Sequence, residues 1–209
     1  MTPEFLVTAF VTLFVVIDPV GTTPIFVALT GGMTQERRRA IALRACVIGF
    51  LILAAFGLFG EAVLGFIGIS MPAFRIAGGL LLFLTALEML FGRRTQRRQS
   101  QAETAEEDHS DDPSVFPLAI PLLAGPGSIA SLILLTNQGG GSWITLSGLI
   151  LVVGVIYVIC YLLFLAAGAI ERGLGETGIL VVTRLLGMLL AALSVQFVLD
   201  GLANAGLTG

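Results

Sequence analysis

Six apolar stretches dominate this chain, each long enough or nearly so to cross the roughly 30 Å of hydrocarbon in a bilayer. They run from Phe5 to Leu29, Ile41 to Ile67, Phe74 to Phe91, Val115 to Leu135, Trp143 to Ala169 and Ile179 to Leu202. A backbone in lipid must satisfy its own hydrogen bonds, and stretches of this length do so as helices. Composition agrees: 12% of the residues are charged, against about a quarter in soluble domains. The expected fold is an all-α membrane protein with six transmembrane helices. No Lys or Arg precedes the first stretch, and no small-residue cleavage site follows a short apolar core. That stretch is therefore expected to belong to the mature protein rather than to a signal peptide.

All eleven basic residues are Arg. With six crossings, one side of the membrane holds only Arg75. The other holds Arg37, Arg38, Arg39, Arg44, Arg93, Arg94, Arg97, Arg98, Arg172 and Arg184. The positive-inside rule predicts both termini outside and the Arg-rich loops in the cytoplasm. Trp143 fits an interfacial anchor. Residues 93–114 are basic first and acidic afterwards, with no apolar face. They are expected to form a solvated, disordered cytoplasmic linker. It divides the chain into residues 1–92 and 115–209, three crossings each.

These two parts show weak similarity. The stretch Arg75-Ile76-Ala77-Gly78-Gly79-Leu80 aligns with Arg184-Leu185-Leu186-Gly187-Met188-Leu189, and the same offset pairs Thr85 with Ser194. An odd number of crossings per half forces equivalent helices to run in opposite directions. The prediction is therefore two inverted three-helix repeats, an arrangement used by several secondary transporters.

Each half opens with an interrupted span. The first break is Asp18-Pro19-Val20-Gly21-Thr22-Thr23-Pro24 and the second is Gly125-Pro126-Gly127-Ser128. Proline removes an amide donor and glycine releases helical geometry. At about 1.5 Å per residue, Asp18 lies roughly 20 Å from Phe5, and Gly125 lies roughly 15 Å from Val115. Entering from opposite faces, both breaks reach the middle of the bilayer. Thr23 with Pro24 reads as an N-cap and first helical residue, and Ser128 as a cap for the second restart. Restarted helices would aim free amides and positive dipole ends at the midplane, where a carboxylate fits. Asp18 and the free carbonyls of the incoming helices suit an ammonium group or a cation. A small zwitterion satisfies both. The plain alternative for each break is a kink repaired by its neighbours. For Asp18, it is a helix-terminal residue bonded to nearby backbone.

The substrate-binding candidates are Asp18, Pro19, Gly21, Thr22, Thr23, Gly125, Gly127 and Ser128. Coupling or gating candidates are Asp18, Arg75, Glu88, Arg184, Thr85 and Ser194. Arg75 and Arg184 also fit simple anchoring, with Glu88 or Asp18 as gating partners otherwise. Pro117 reads as first-turn and Pro121 as a kink. Cys46 and Cys160 read as packing residues, and no metal-ligand cluster is visible. His109, the one histidine, lies in the linker. No nucleophile–base pair and no phosphate-binding loop with Lys are visible, so neither an enzyme nor an ATP-driven pump is expected. Nor is a nucleic-acid partner or a cofactor beyond a coupling H+ or Na+. The expected partners are the lipid bilayer and a small-molecule substrate, with a homo-oligomer left open.

The run Asp18-Pro19-Val20-Gly21 with Pro24, paired with Pro121-Leu122-Leu123-Ala124-Gly125-Pro126-Gly127-Ser128, resembles the MarC family over nearly the whole chain. These six-span bacterial and archaeal inner-membrane proteins are also called the neutral amino acid transporter family. Thr22 and Ser128 stand where the family's motifs commonly carry Asn and Ala. The resemblance implies a secondary transporter of small neutral amino acids such as glycine or alanine, coupled to protons or sodium. Two alternatives stay beside it: an exporter of another small metabolite or ion, and a membrane scaffold that transports nothing.

Overall fold

The computed structural model describes residues 2–94, 96–98, 100 and 112–206, without the side chains at 171, 172, 174 and 176. Most of the expected linker, residues 101–111 with His109, lies outside the described residues, as does the side chain of Arg172. The described residues are helical, with no strand among them. In chain order the helices are α1 (Pro3–Ile17), α2 (Pro19–Leu29), α3 (Gln35–Ile67), α4 (Met71–Leu90), α5 (Ser114–Leu123), α6 (Pro126–Gln138), α7 (Trp143–Leu165) and α8 (Ala167–Asn204). Five segments are long and apolar enough to cross a membrane: Pro3–Leu29, Gln35–Ile67, Met71–Leu90, Trp143–Leu165 and Thr177–Asn204. Counting α5 and α6 as one bent span makes six.

Local chemistry sets the helix ends. Thr2, Thr34, Ser70 and Ser142 each accept an amide hydrogen bond at the start of α1, α3, α4 and α7. Glycine stops α3: Gly68 turns out with φ 84°. The break in span one is tighter than expected. Asp18 adopts a left-handed conformation (φ 56°, ψ 64°), ending α1 and capping α2 at once. Its Oδ1 accepts from Gly21 N at 3.0 Å, and Pro19 supplies the first helical φ. The restart is therefore at Pro19 and not at Pro24, which lies inside α2. Thr23 is not a cap, since its hydroxyl donates to Pro19 O at 2.9 Å.

Span four is interrupted more severely. Phe116 and Ile120 are extended within α5. Each precedes a proline, whose ring pushes the preceding residue out of the helical region. The surviving bonds reach five residues back, as in Leu118 N to Pro113 O and Ala124 N to Ala119 O. Pro117 and Pro121 thus share one role instead of the two expected. The chain then bends by 51° into α6. Such backbone at membrane depth needs protein around it; Leu118, Ala119, Leu122, Leu123 and Ala124 are buried, whereas the side chains of the extended Phe116 and Ile120 are 51% and 44% exposed.

Span one is enclosed as well: 56% of its apolar window is buried, against 28–39% for the other four. It runs antiparallel to α6. A Cβ added to Gly139 would lie 3.1 Å from Phe5, and one on Gly127 would lie 3.3 Å from Val16. A large core joins α1, α2, α3, α5, α6 and α7. A smaller one joins α1 and α6 to α4 and α8. The α4–α8 pair is packed backbone to backbone: a Cβ on Gly79 would meet Ser194 O at 2.9 Å, and one on Gly187 would meet Ala86 O at 3.2 Å. In membranes small residues permit such approach, and dispersion contacts then hold the helices together.

Candidate functional site

The end of α1 and the start of α6 meet inside the protein beside the last turns of α4. Between them lies a cavity of about 100 Å³, lined by Val16, Thr85 and Glu88, by Arg94, Arg97 and Arg98, by Pro121 and Leu122, and by Gly125 through Ser128. The first turn of α6 contributes the last group. Its N-cap is Gly125, without a side-chain cap. Ser128 is no cap either, because its hydroxyl donates to Gly125 O at 2.9 Å. The leading amides of α6 are thus left without a side-chain acceptor. Gly127 packs against Val16 and Leu82, and Thr85 Oγ1 lies just beyond.

The arginines correct the sequence reading of a wholly solvated linker. Beyond Gly92 (φ 70°), Arg94, Arg97 and Arg98, at helical positions, fold back over the cavity. Arg98 is buried (6% exposed). Its Nη1 donates to Asp18 Oδ2 at 3.0 Å and its Nη2 to Ile17 O at 3.5 Å. Arg94 is half-buried, donating to Val16 O at 2.6 Å and to Met89 Sδ at 3.0 Å. Two guanidiniums therefore cap the C-terminal carbonyls of α1, where a cation is favoured by the helix dipole. Burial, followed by the Arg98 charge, pushes the Arg94 guanidinium down to about 9, which leaves it charged at neutral pH. Burial also lowers Arg98, and the Asp18 carboxylate opposes that shift. Arg97 is more open and pairs with Glu88 at 2.9 Å.

The expected site residues separate into three groups. Gly125, Gly127, Ser128, Thr85 and Glu88 line the cavity. Asp18, Thr22 and Thr23 are buried behind it. Both carboxylate oxygens of Asp18 are engaged, and the Thr22 hydroxyl donates to Asp18 O at 2.8 Å. Pro19 and Gly21 form the turn around Asp18. A Cβ on Gly21 would collide with the Asp18 carboxylate, so only glycine fits there. These five residues do not line the cavity, and the ammonium site expected at Asp18 is filled by the protein's own Arg98.

Arg75, Arg184 and Ser194 lie elsewhere. Arg75 is buried and donates to Asn137 Oδ1 at 3.0 Å, so it pairs with neither Glu88 nor Asp18. Arg184 is exposed on α8 near Gly92. The Ser194 hydroxyl donates to Ala191 O at 2.7 Å, within its own helix. Sequence reasoning missed Arg94, Arg97 and Arg98. The available signal was their spacing, because Arg94 and Arg98 share a helical face. A second signal was the need of an acidic residue inside a span for a basic partner.

Residues 3–205 match the model of the MarC family integral membrane protein. The chain belongs to the MarC family. Among curated proteins it is 40% identical over 202 residues to a UPF0056 membrane protein of Archaeoglobus fulgidus, covering 96% of this chain and 93% of that one. It is 36% identical to the UPF0056 membrane protein YvbG of Bacillus subtilis, covering 99% and 95% of the two chains. The same identity, over 92% and 89%, relates it to the UPF0056 membrane protein YhcE of Escherichia coli. No solved structure matches. Membership in the MarC family makes this an integral membrane protein in contact with the bilayer.

Proposed function

We propose that this chain is a secondary transporter of small neutral amino acids such as glycine or alanine, working by alternating access at the cavity between its two interrupted spans. The observation that carries the reading is the meeting of α1 and α6 in the protein interior, with uncapped amides beside a partly open polar cavity. Breaks in corresponding spans mark binding sites in transporters built from repeats. The inverted repeat belongs to this proposal and has support from packing. The offset that aligns Arg75 with Arg184 carries the contact of Gly79 with Val198 close to that of Gly187 with Met89. The reading includes a proton or sodium ion as coupling ion, both termini outside the inner membrane, and no enzymatic step.

Purified protein in liposomes should show counterflow of labelled alanine or glycine. Gly127→Leu should abolish it, because the added side chain meets Val16 and Leu82 and fills the cavity. Absence of exchange for every small amino acid tried would falsify the substrate. Loss of phenotype only on loop deletion, with Gly127→Leu silent, would favour a scaffold.

A further inference from the structure

The charges around the cavity do not balance. Arg94, Arg97 and Arg98 line it, and among the described residues the only carboxylate lining it is that of Glu88. Asp18 stands behind Arg98 and is closed by Arg98 and Gly21 N. The α1 carbonyls that might have accepted an ammonium group are taken by Arg94 and Arg98. Arg94 has a carbonyl and a thioether as partners, with no carboxylate among the described residues within ion-pair reach. Among the described residues, one cation in the cluster is therefore uncompensated. A half-buried charge of this kind is costly unless an opposite charge joins it. The positive end of α6 adds to the excess. Glu88, the remaining acceptor for an ammonium group, is held by Arg97.

We infer that the cavity is a carboxylate site: it binds a small monocarboxylate through its arginines, with Arg97 the side chain free to turn toward the ligand, and reads an ammonium group weakly or not at all. The inference rests on the transport reading above for its location and narrows its substrate class. Arg97 is suited to the role because its side chain is 67% exposed and tied at one end only, whereas Arg98 is 7% exposed and doubly bonded. A guanidinium fork matches a carboxylate with two parallel hydrogen bonds, a geometry an ammonium group cannot offer to Glu88.

The test is direct binding to the purified full chain, using labelled alanine, labelled propionate (the carboxylate alone) and ethylamine as competitor (the amine alone). Propionate should bind within tenfold of alanine, and ethylamine at a hundredfold excess should displace neither. Arg97→Gln should weaken propionate at least tenfold, and Glu88→Gln should leave it unchanged or tighter. Arg97→Gln should unfold at the same temperature as the unaltered chain, because the side chain is 67% exposed, so that lost binding is not lost folding. Displacement by inorganic phosphate as effective as by propionate would overturn carboxylate selectivity. Ethylamine competing as well as propionate, or propionate failing to bind, would overturn the assignment. Binding of propionate without alanine would uphold it while removing the amino acid reading. Alanine counterflow unaffected by Arg97→Gln would overturn it while leaving transport in place.

Discussion

Asp18 has a left-handed backbone, a carboxylate bonded on one oxygen to Gly21 and on the other to Arg98, and almost no exposed surface. The residue type follows from this position. Asp tolerates positive φ better than most side chains, and its short carboxylate reaches the amide three residues ahead. Breaking a buried ion pair from one side leaves an unpaired charge and costs about 3–5 kcal/mol. Asp18→Ala should therefore lower thermal stability in detergent sharply, whatever it does to transport. In Asp18→Ala/Arg98→Leu both charges leave together, so the double variant should be far less damaged than the sum of the two singles. A strictly additive cycle would show the pair to be inert. Asp18 was legible in the sequence as a costly residue that needed a purpose. Its partner was missed, since Arg98 lies in a charge run that reads as solvated and is 80 residues further along the chain.

At the scale of elements, the apolar stretches placed the helices well, because helix length in lipid is fixed by thickness and the segments end at Ser, Thr and Gly signals. Pro and Gly pointed to the ends of α1 and α5, but the restart and capping read from them differ from the structure. A hydroxyl beside a proline reads as a cap; in the structure the hydroxyls of Thr23 and Ser128 donate to carbonyls freed by the break. The extended residues of α5 could have been read from pre-proline geometry. The α4–α8 contact depends on missing side chains. Gly79→Leu or Gly187→Leu must push backbone atoms apart, and overpacking of this kind costs about 1–3 kcal/mol or more. Either variant should shift unfolding to lower temperature. The exposed neighbour Leu80, at 53% exposure, should accept Ala with little change.

The molecule as a whole is two cores joined through α1 and α6, with spans one and four at its centre and the other four around them, the last running from Thr177 to Asn204 beyond a kink at Gly175. This arrangement could not be read from periodicity, since stretches that are apolar on all sides do not say which face meets protein and which meets lipid. The connector between the halves supplies the charges at the centre, and one result is electrical. Three guanidiniums gathered around one cavity repel small cations, much as fixed positive charges and dipole ends do in water-conducting pores. The resting protein should be tight to protons. Replacing Arg94 and Arg98 together by Gln should raise proton leak in liposomes followed with a pH-sensitive dye, and an unchanged leak would show that the apolar walls suffice. On the transport reading, arginines carried by the connector would keep the membrane sealed while no guest is bound.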